Sequence, residues 1–336
     1  MKIYNSIDLF AGIGGVRLGF ENAFGKQIKT VYACEWNEPA QKTYKANFND
    51  DFEIAGDITK VDVESVPDFD ICCAGFPCVA FSLAGKRMGF KDLYKGQSRG
   101  ILFMDVVRIC EEHKPKVIFC ENVKNLVDHD KGHTFKVIKE AFETIGYKVF
   151  YQVLNSKDFG VPQNRPRIYI VCFRNDIAPE TFEFPEGTDS SKKIRNILEK
   201  SPIPSKYYLS DTYMQTLVRH KARHEAKGHG FGYVIRDLNG ISGALVCGGM
   251  GREGNLIIDH RKHSMVPTTH IKGEINKDDV RKLTPREWAR LQGFPDDFKF
   301  VVSDTELYKQ FGNSVTVNVI EAIAEKILEV LNEKDR

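Results

Sequence analysis

The chain has 336 residues, 48 Lys+Arg against 46 Asp+Glu, and 42% apolar residues. That length allows one large domain or two moderate ones with their own cores, and no stretch approaches the roughly 20 consecutive apolar residues of a membrane-spanning helix. Its 8 cysteines are scattered without a Cys-x-x-Cys pair, which argues against a disulfide framework and against a zinc site, so no metal is expected.

The opening residues, MKIYNS, lack the long apolar region of a signal peptide. A reducing cytoplasm is the expected compartment. The net charge of +2 hides an asymmetry, because residues 190–282 hold 17 Lys+Arg against 9 Asp+Glu and 6 of the 9 histidines. A basic segment on a mildly acidic body is the footprint of a part that touches phosphates, although a solvated surface gives the same pattern.

In chain order, the first half alternates strands and helices. Residues 3–10 predict a strand, followed by the glycines Gly12, Gly14 and Gly15 and an amphipathic helix over 15–24. A strand over 30–34, a helix over 39–48 and a third strand over 52–55 follow, then a strand over 69–74 that ends just before Gly75-Phe76-Pro77-Cys78. Residues 102–112 have helical periodicity, 116–120 a strand delivering Glu121, and 134–145 another helix. Residues 148–154 and 167–173 predict a closing hairpin. Such alternation predicts an α/β fold with a mostly parallel sheet covered by helices. Residues 185–204, rich in Pro, Ser and charge, predict a linker, and 205–280 predict short strands with no helix longer than two turns. The glycine-rich stretch 248–255 is expected to be a mobile loop. Thr284-Pro285 opens a helix as N-cap and first helical residue, and a last amphipathic helix is predicted over 317–331.

Three strand ends carry chemistry. The glycine turn after the first strand lets backbone approach a ligand, a weak sign alone; Glu35 ends the second strand 20 residues after Gly15, where an acid accepts hydrogen bonds from ribose hydroxyls. Asp57 ends the third and suits an adenine amino group. Most free cysteines are small buried hydrophobes, and Cys72, Cys73, Cys110, Cys120 and Cys172 read that way inside apolar runs. Cys78 lies beyond its run, in a turn near Ser82, Lys86 and Arg87, where positive charge favours a nucleophilic thiolate. Glu121 reads either as a cap or surface acid, or as a proton donor whose pKa desolvation raises. Gln163, Arg165 and Arg167 alternate, so an extended chain puts them on one face, suited to an anion or carbonyl.

These residues bring the sequence into resemblance with the C5-cytosine DNA methyltransferases of bacterial restriction–modification systems. DLFAGIGG (8–15), Glu35-Trp36, Gly56-Asp57-Ile58, GFPC (75–78), Glu121-Asn122-Val123, Gln163-x-Arg165-x-Arg167, LTPREWARLQGFPDDF (283–298) and GNSV (312–315) follow that family's order. The resemblance implies a Rossmann-like S-adenosylmethionine-dependent methyltransferase sheet with a smaller, irregular, β-rich target-recognition domain. Residues 1–186, completed by 283–336, would form the catalytic domain, and 187–282 would recognise the target. The target cytosine would be flipped from double-stranded DNA. Cys78 would add to C6, Glu121 would protonate or hydrogen-bond N3, Arg167 would contact O2, and Arg165 would support the site. Phe10, Gly12, Gly14, Gly15, Glu35, Trp36, Asp57, Ile58 and Pro77 would hold S-adenosyl-L-methionine, whose product is S-adenosyl-L-homocysteine, with Asn313 and Ser314 near it.

A loop over 79–99 would close over the flipped base. Ser82, Lys86, Arg87, Arg236 and Arg252 are the candidate DNA contacts. The family's usual Gln after Pro-Cys is Val79 here, and Ser242-Gly243-Ala244-Leu245 stands where a Thr-Leu pair is common. A monomer is expected, with a cognate restriction endonuclease as possible companion. The alternatives are the tRNA-methylating branch of the family, a non-catalytic sequence-specific DNA-binding protein, and an unrelated Rossmann-like oxidoreductase.

Overall fold

The structure, a computed structural model, describes residues 2–77, 93–94, 97–98, 102–200, 202–261 and 273–334. Cys78, Val79, Ser82, Lys86 and Arg87 lie outside the described residues, as does most of the loop expected over 79–99. Two compact units emerge: Met1–Asn155 with Pro166–Glu186 and Val317–Arg336, and Ser156–Arg165 with Gly187–Thr316.

The first unit is built on a six-stranded sheet. Its strands are β1 (Tyr4–Leu9), β2 (Ile28–Cys34), β3 (Ile71–Ala74), β6 (Val117–Val123), β7 (Tyr147–Asn155) and β9 (Pro166–Arg174), in the order β2-β1-β3-β6-β9-β7. Two further strands, β4 (Leu93–Tyr94) and β5 (Gln97–Ser98), pair only with each other, and β8 is Gln163–Asn164. β2, β1, β3 and β6 run parallel, and β9 is antiparallel to both β6 and β7. β3 (ICCA) is buried along its whole length, as continuous apolar runs in the middle of a covered parallel sheet must be. Helices α1 (Gly15–Phe24), α2 (Glu38–Asn47), α3 (Leu102–His113) and α4 (His133–Thr144) fall within about a residue or two of the expected spans. The final helix α9 (Val317–Lys334) packs on α1, and the approach is close because Gly19 has no side chain: a Cβ there would lie 2.5 Å from Ile320 Cβ. The predicted cysteines of the core, Cys72, Cys73, Cys110, Cys120 and Cys172, are all buried.

The expected third strand is not formed. Residues 52–55 make a single parallel bridge, Cys34 to Ala55. Phe52 and Ile54 pack with Tyr44 and Phe48 instead, so their apolar character serves side-chain packing rather than a ladder.

The second unit contains α5 (Ile194–Ile197), α6 (Asp211–Glu225), β10 (Ser242–Gly243), β11 (Leu256–Ile258), β12 (Val280–Lys282), α7 (Pro285–Leu291) and α8 (Asp304–Asn313). Two expectations are corrected here, that of no helix longer than two turns and that of a linker. The 15-residue α6 contradicts the prediction of no helix longer than two turns over 205–280. Its core contribution is almost confined to Leu217, with Ser210 as N-cap, so it has no broad apolar stripe to read. The supposed linker is anchored, because Ile194 and Ile203 are buried and the amides of Ile194 and Arg195 bond Gly240 and Leu238. The glycine-rich stretch ends in buried Glu253 and Asn255, and Asn255 accepts from the Gly243 amide at 2.7 Å. Residues 283–316, expected with the catalytic part, cluster with 187–282, and only from Val317 does the chain rejoin the first unit. The physical link is buried Arg281, which pairs with Asp259 on one side and Glu287 of α7 on the other.

Candidate active site

The ends of β1 and β2 form one construction. The turn after β1 has left-handed backbone at Phe10 (φ 56°), Gly12 (φ 55°) and Gly14 (φ 82°). A Cβ on Gly14 would lie 2.2 Å from Phe48 Cε2, so the turn rests directly on the aromatic rings of α2 and its flank. Arg17 lies over the Phe48 ring at 4.1 Å, donates to both oxygens of Asp50 at 2.6 and 2.8 Å, and reaches the Tyr44 hydroxyl. Beneath the turn, Asp8 is 2% exposed, and its Oδ2 meets no hydrogen-bond partner. Burial drives the Asp8 carboxyl well above the usual carboxylate range, against the pull of Arg17.

Glu35 joins the two strand ends. Its Oε2 accepts from the Gly12 amide and its Oε1 from the Asn37 amide, each at 2.8 Å, while the Glu35 amide donates to Ala55. Burial raises its pKa, and the amides of Asn37 and Gly12 oppose the rise. Beside it the Trp36 side chain is 69% exposed, an unusual place for a large apolar ring. Asp57 accepts from the amide and hydroxyl of Thr59 with one oxygen, fixing the turn that carries buried Ile58. Arg108 of α3 pins that turn from below, donating to the carbonyls of Ile58 and Val61 at 2.6 and 2.9 Å. Sequence reasoning missed Arg108. Its signal was an Asp105–Arg108 pair one helical turn apart inside an otherwise apolar helix.

The second cluster lies where β3 and β6 end. Glu121 and Arg167 are diagonal neighbours across β6 and β9, since Glu121 faces Tyr169 and Val123 faces Arg167. Arg167 Nε stands 3.2 Å from Glu121 Oε1, with the side chains only 14% and 12% exposed. Asn122, which the sequence offered within Glu121-Asn122-Val123 without a role, is 3% exposed and donates from Nδ2 to the Phe76 carbonyl at 2.9 Å. It therefore ties the strand end bearing Glu121 to the turn Gly75-Phe76-Pro77 that leads into residue 78. An apolar run broken by Glu-Asn was its only sequence signal.

Gln163 and Arg165 cluster with the second unit and Arg167 with the first. Arg165 is 3% exposed and donates to the carbonyls of Leu245, Gly312 and Ser314. Fully buried Gln163 bonds Leu291, Gln292 and the Leu245 amide. Both lock the second unit internally. Asn313 and Ser314 end α8 there, with Asn313 exposed and the Ser314 carbonyl held by Arg165. Arg236 is half-buried and bonds Gly254 and Asn255, whereas Arg252 lies over the Tyr308 ring at 5.3 Å. Among the described residues there is no group of three His, Cys, Asp or Glu side chains placed to hold a metal ion.

The sequence profile of the C-5 cytosine-specific DNA methylases matches residues 4–329. The chain is 53% identical over 332 residues to the Type II methyltransferase M.HpaII of Haemophilus parainfluenzae, covering 98% of this chain and 90% of that protein. It is 39% identical over 335 residues to the Type II methyltransferase M.HhaI of Haemophilus parahaemolyticus, covering 98% and 95%. In fold it is similar to the Entamoeba histolytica methyltransferase EhMeth, with TM-score 0.73, 20% identity and 100% of both chains covered. The Dnmt2 methyltransferase of S. pombe is similar with TM-score 0.71 and 19% identity, over 98% of this chain and 99% of that one.

Proposed function

The chain belongs to the C-5 cytosine-specific DNA methylase family, and on that premise we propose how its residues divide the work of methyl transfer. It is a DNA (cytosine-5-)-methyltransferase. Its methyl donor in this reading is S-adenosyl-L-methionine, and the residues at the ends of β1 and β2 fit that group. Glu35 offers remaining lone pairs at a strand end for ribose hydroxyls, exposed Trp36 offers a flat apolar face for the adenine, and the Asp57 carboxylate is an acceptor of the kind its amino group needs. When bound, S-adenosylmethionine supplies the methyl group that C5 of the activated cytosine takes, and S-adenosyl-L-homocysteine remains.

Cytosine C5 is a poor nucleophile until the 5,6 double bond is opened. Cys78, as thiolate, adds to C6 of a base flipped out of the duplex. Glu121 gives a proton or a hydrogen bond to N3, which takes up the electron density displaced by that addition. Arg167 donates to O2 and holds the Glu121 carboxyl in place. Loss of the C5 proton and departure of the thiolate restore the aromatic ring. The observation that carries this reading is the Glu121–Arg167 pair at 3.2 Å, tied through Asn122 to the turn that precedes Cys78.

Residues 187–282, with their basic surplus, serve in target recognition within the second unit, and double-stranded DNA is the partner. Similarity to two Type II methyltransferases supports service in a restriction–modification system beside an endonuclease of the same specificity. The enzyme acts as a monomer in the cytoplasm. Among the described residues no helix is long and apolar enough to cross a membrane.

Tritium transfer from labelled S-adenosylmethionine to duplex DNA and to tRNA tests the substrate. Duplex DNA is expected to take label and tRNA none, and Glu121→Gln is expected to lower the rate by about 10²-fold or more. Label entering tRNA alone would transfer the chain to the RNA-modifying branch.

A further inference from the structure

One side-chain cluster has no part in the mechanism above. The last turns of α6 carry Arg219, His220, Lys221, Arg223 and His224, followed by Lys227, His229 and Phe231. Leu217 and the partly buried Tyr213 and Met214 face the core; Arg219 and Arg223 are exposed on the opposite side, while His220, Lys221 and His224 follow Leu217 on its own side of the helix and are half-buried. Arg219, Arg223 and Lys227 are exposed, and among the described residues none of them meets a carboxylate; Arg219 Nε reaches only the Gln215 carbonyl. Many other arginines of this protein are paired: Arg17, Arg108, Arg174, Arg261, Arg281 and Arg290 all contact acids.

The imidazoles sit among these cations. The His220 and His224 rings are 4.5 Å apart, His224 and His229 are 6.3 Å apart, and exposed Phe231 stands edge-on to His224 at 5.9 Å. The Nδ1 atoms of His220 and His224 are themselves buried and have no hydrogen-bond partner, so it is the Nε2 edges that are left to meet a ligand. A helix C-terminus favours cations through its dipole, which explains one or two of these residues. It does not explain three imidazoles gathered, tilted to one another, beside exposed guanidinium and ammonium groups, an arrangement that repels itself once charged.

We propose that Arg219, His220, Arg223, His224, Lys227 and His229 form a ridge that grips backbone phosphates of duplex DNA and takes up protons as it does so. The proposal rests on the DNA-methyltransferase reading and names a contact within it. The groups facing His224 are His220, Arg223, Lys227 and His229, with Lys221 held over the Tyr233 ring and Glu225 exposed. Desolvation first, and then those cationic neighbours, hold the His224 pKa below its ordinary value. A phosphate placed on the ridge reverses the sign of that field. Imidazolium becomes the favoured form, so binding is coupled to proton uptake and strengthens as pH falls.

The test is the affinity of the full chain, with S-adenosylhomocysteine present, for a short fluorescein-labelled duplex of random sequence, read by anisotropy across a salt series and from pH 8 to 6. For Arg219→Gln/Arg223→Gln/Lys227→Gln the slope of log affinity against log salt is expected to fall by about 2–3, near 0.9 for each phosphate no longer neutralised. Wild type is expected to tighten at least about threefold from pH 8 to 6 at constant ionic strength, and His220→Gln/His224→Gln/His229→Gln to lose that gain. The single variants Arg223→Gln and His224→Gln, with thermal midpoint and S-adenosylhomocysteine affinity as folding controls, give the same comparison if a triple variant does not fold. An unchanged salt slope, or a pH gain that survives histidine replacement, overturns the ridge while leaving the methyltransferase reading intact. Wild type that binds no duplex at any salt overturns both.

Discussion

Asp8 shows most directly how a residue near the site is shaped by its surroundings. It is buried under the glycine turn, with Oδ2 unpartnered, and its carboxyl resists ionisation because desolvation outweighs Arg17. A carboxyl whose pKa is higher folded than unfolded keeps its proton in the native state where the unfolded chain has lost it. Its contribution to stability is therefore full below the unfolded value of about 4 and is lost as pH rises through the folded value. Asp8→Asn cannot ionise, so the variant is expected to melt above wild type at pH 8, with the gap closing as pH falls towards about 4. Melting curves of both proteins across that range check this, and a variant that melts below wild type at pH 8 but matches it in acid would contradict it. Glu35, close by in the same field, differs because two backbone amides meet its carboxylate. Burial thus raises both carboxyls at these neighbouring strand ends, opposed chiefly by Arg17 at Asp8 and by backbone amides at Glu35.

At the scale of elements, the glycine turn is held from behind by packing rather than by hydrogen bonds alone. Gly14 combines φ 82° with a Cβ position 2.2 Å from Phe48, whereas Gly12 at φ 55° has open space around it. Gly14→Ala is expected to cost the left-handed strain of about 1–2 kcal/mol plus displacement of Phe48, lowering the midpoint by roughly 4 °C or more and weakening S-adenosylhomocysteine binding. Gly12→Ala carries the strain without the displacement and is expected to melt higher than Gly14→Ala. Calorimetric midpoints and titrations of the two variants decide this, and equal midpoints would remove Phe48 from the account. These elements were legible in the sequence because their apolar residues follow one period. β1, β3 and β6 are runs of mostly buried residues bounded by turns, and α1 and α9 repeat apolar residues at helical spacing. α6 was illegible because a helix with so little buried surface writes almost no pattern, and residues 52–55 misled because apolar residues there pack sideways. In the site, Glu35, Glu121 and Arg167 could be picked out as polar groups at strand ends, and Asp57 as an acid after an apolar run that forms a single bridge. The roles of Arg108 and Asn122 could not, since each acts on a carbonyl distant in sequence.

For the whole molecule, the division into units follows interactions that no local pattern carries. Residues 283–316 cluster with the second unit through the buried Arg281–Glu287 pair, Gln163 and Arg165, and each of these links spans parts of the chain that composition alone sorts differently. The first unit presents Glu121, Arg167 and the turn leading to Cys78, and the basic surplus lies in the second. The central claim is that this chain methylates cytosine in DNA through a covalent bond from Cys78 to C6. Fluorine at C5 blocks the final proton loss and so traps that bond. The most direct measurement incubates wild type and Cys78→Ala with S-adenosylmethionine and duplex DNA in which every cytosine is 5-fluorocytosine, followed by denaturing electrophoresis. The account predicts a protein–DNA band that survives denaturation for wild type and none for Cys78→Ala. No band from wild type that still binds S-adenosylmethionine and the duplex, or an equal band from both proteins, would contradict it.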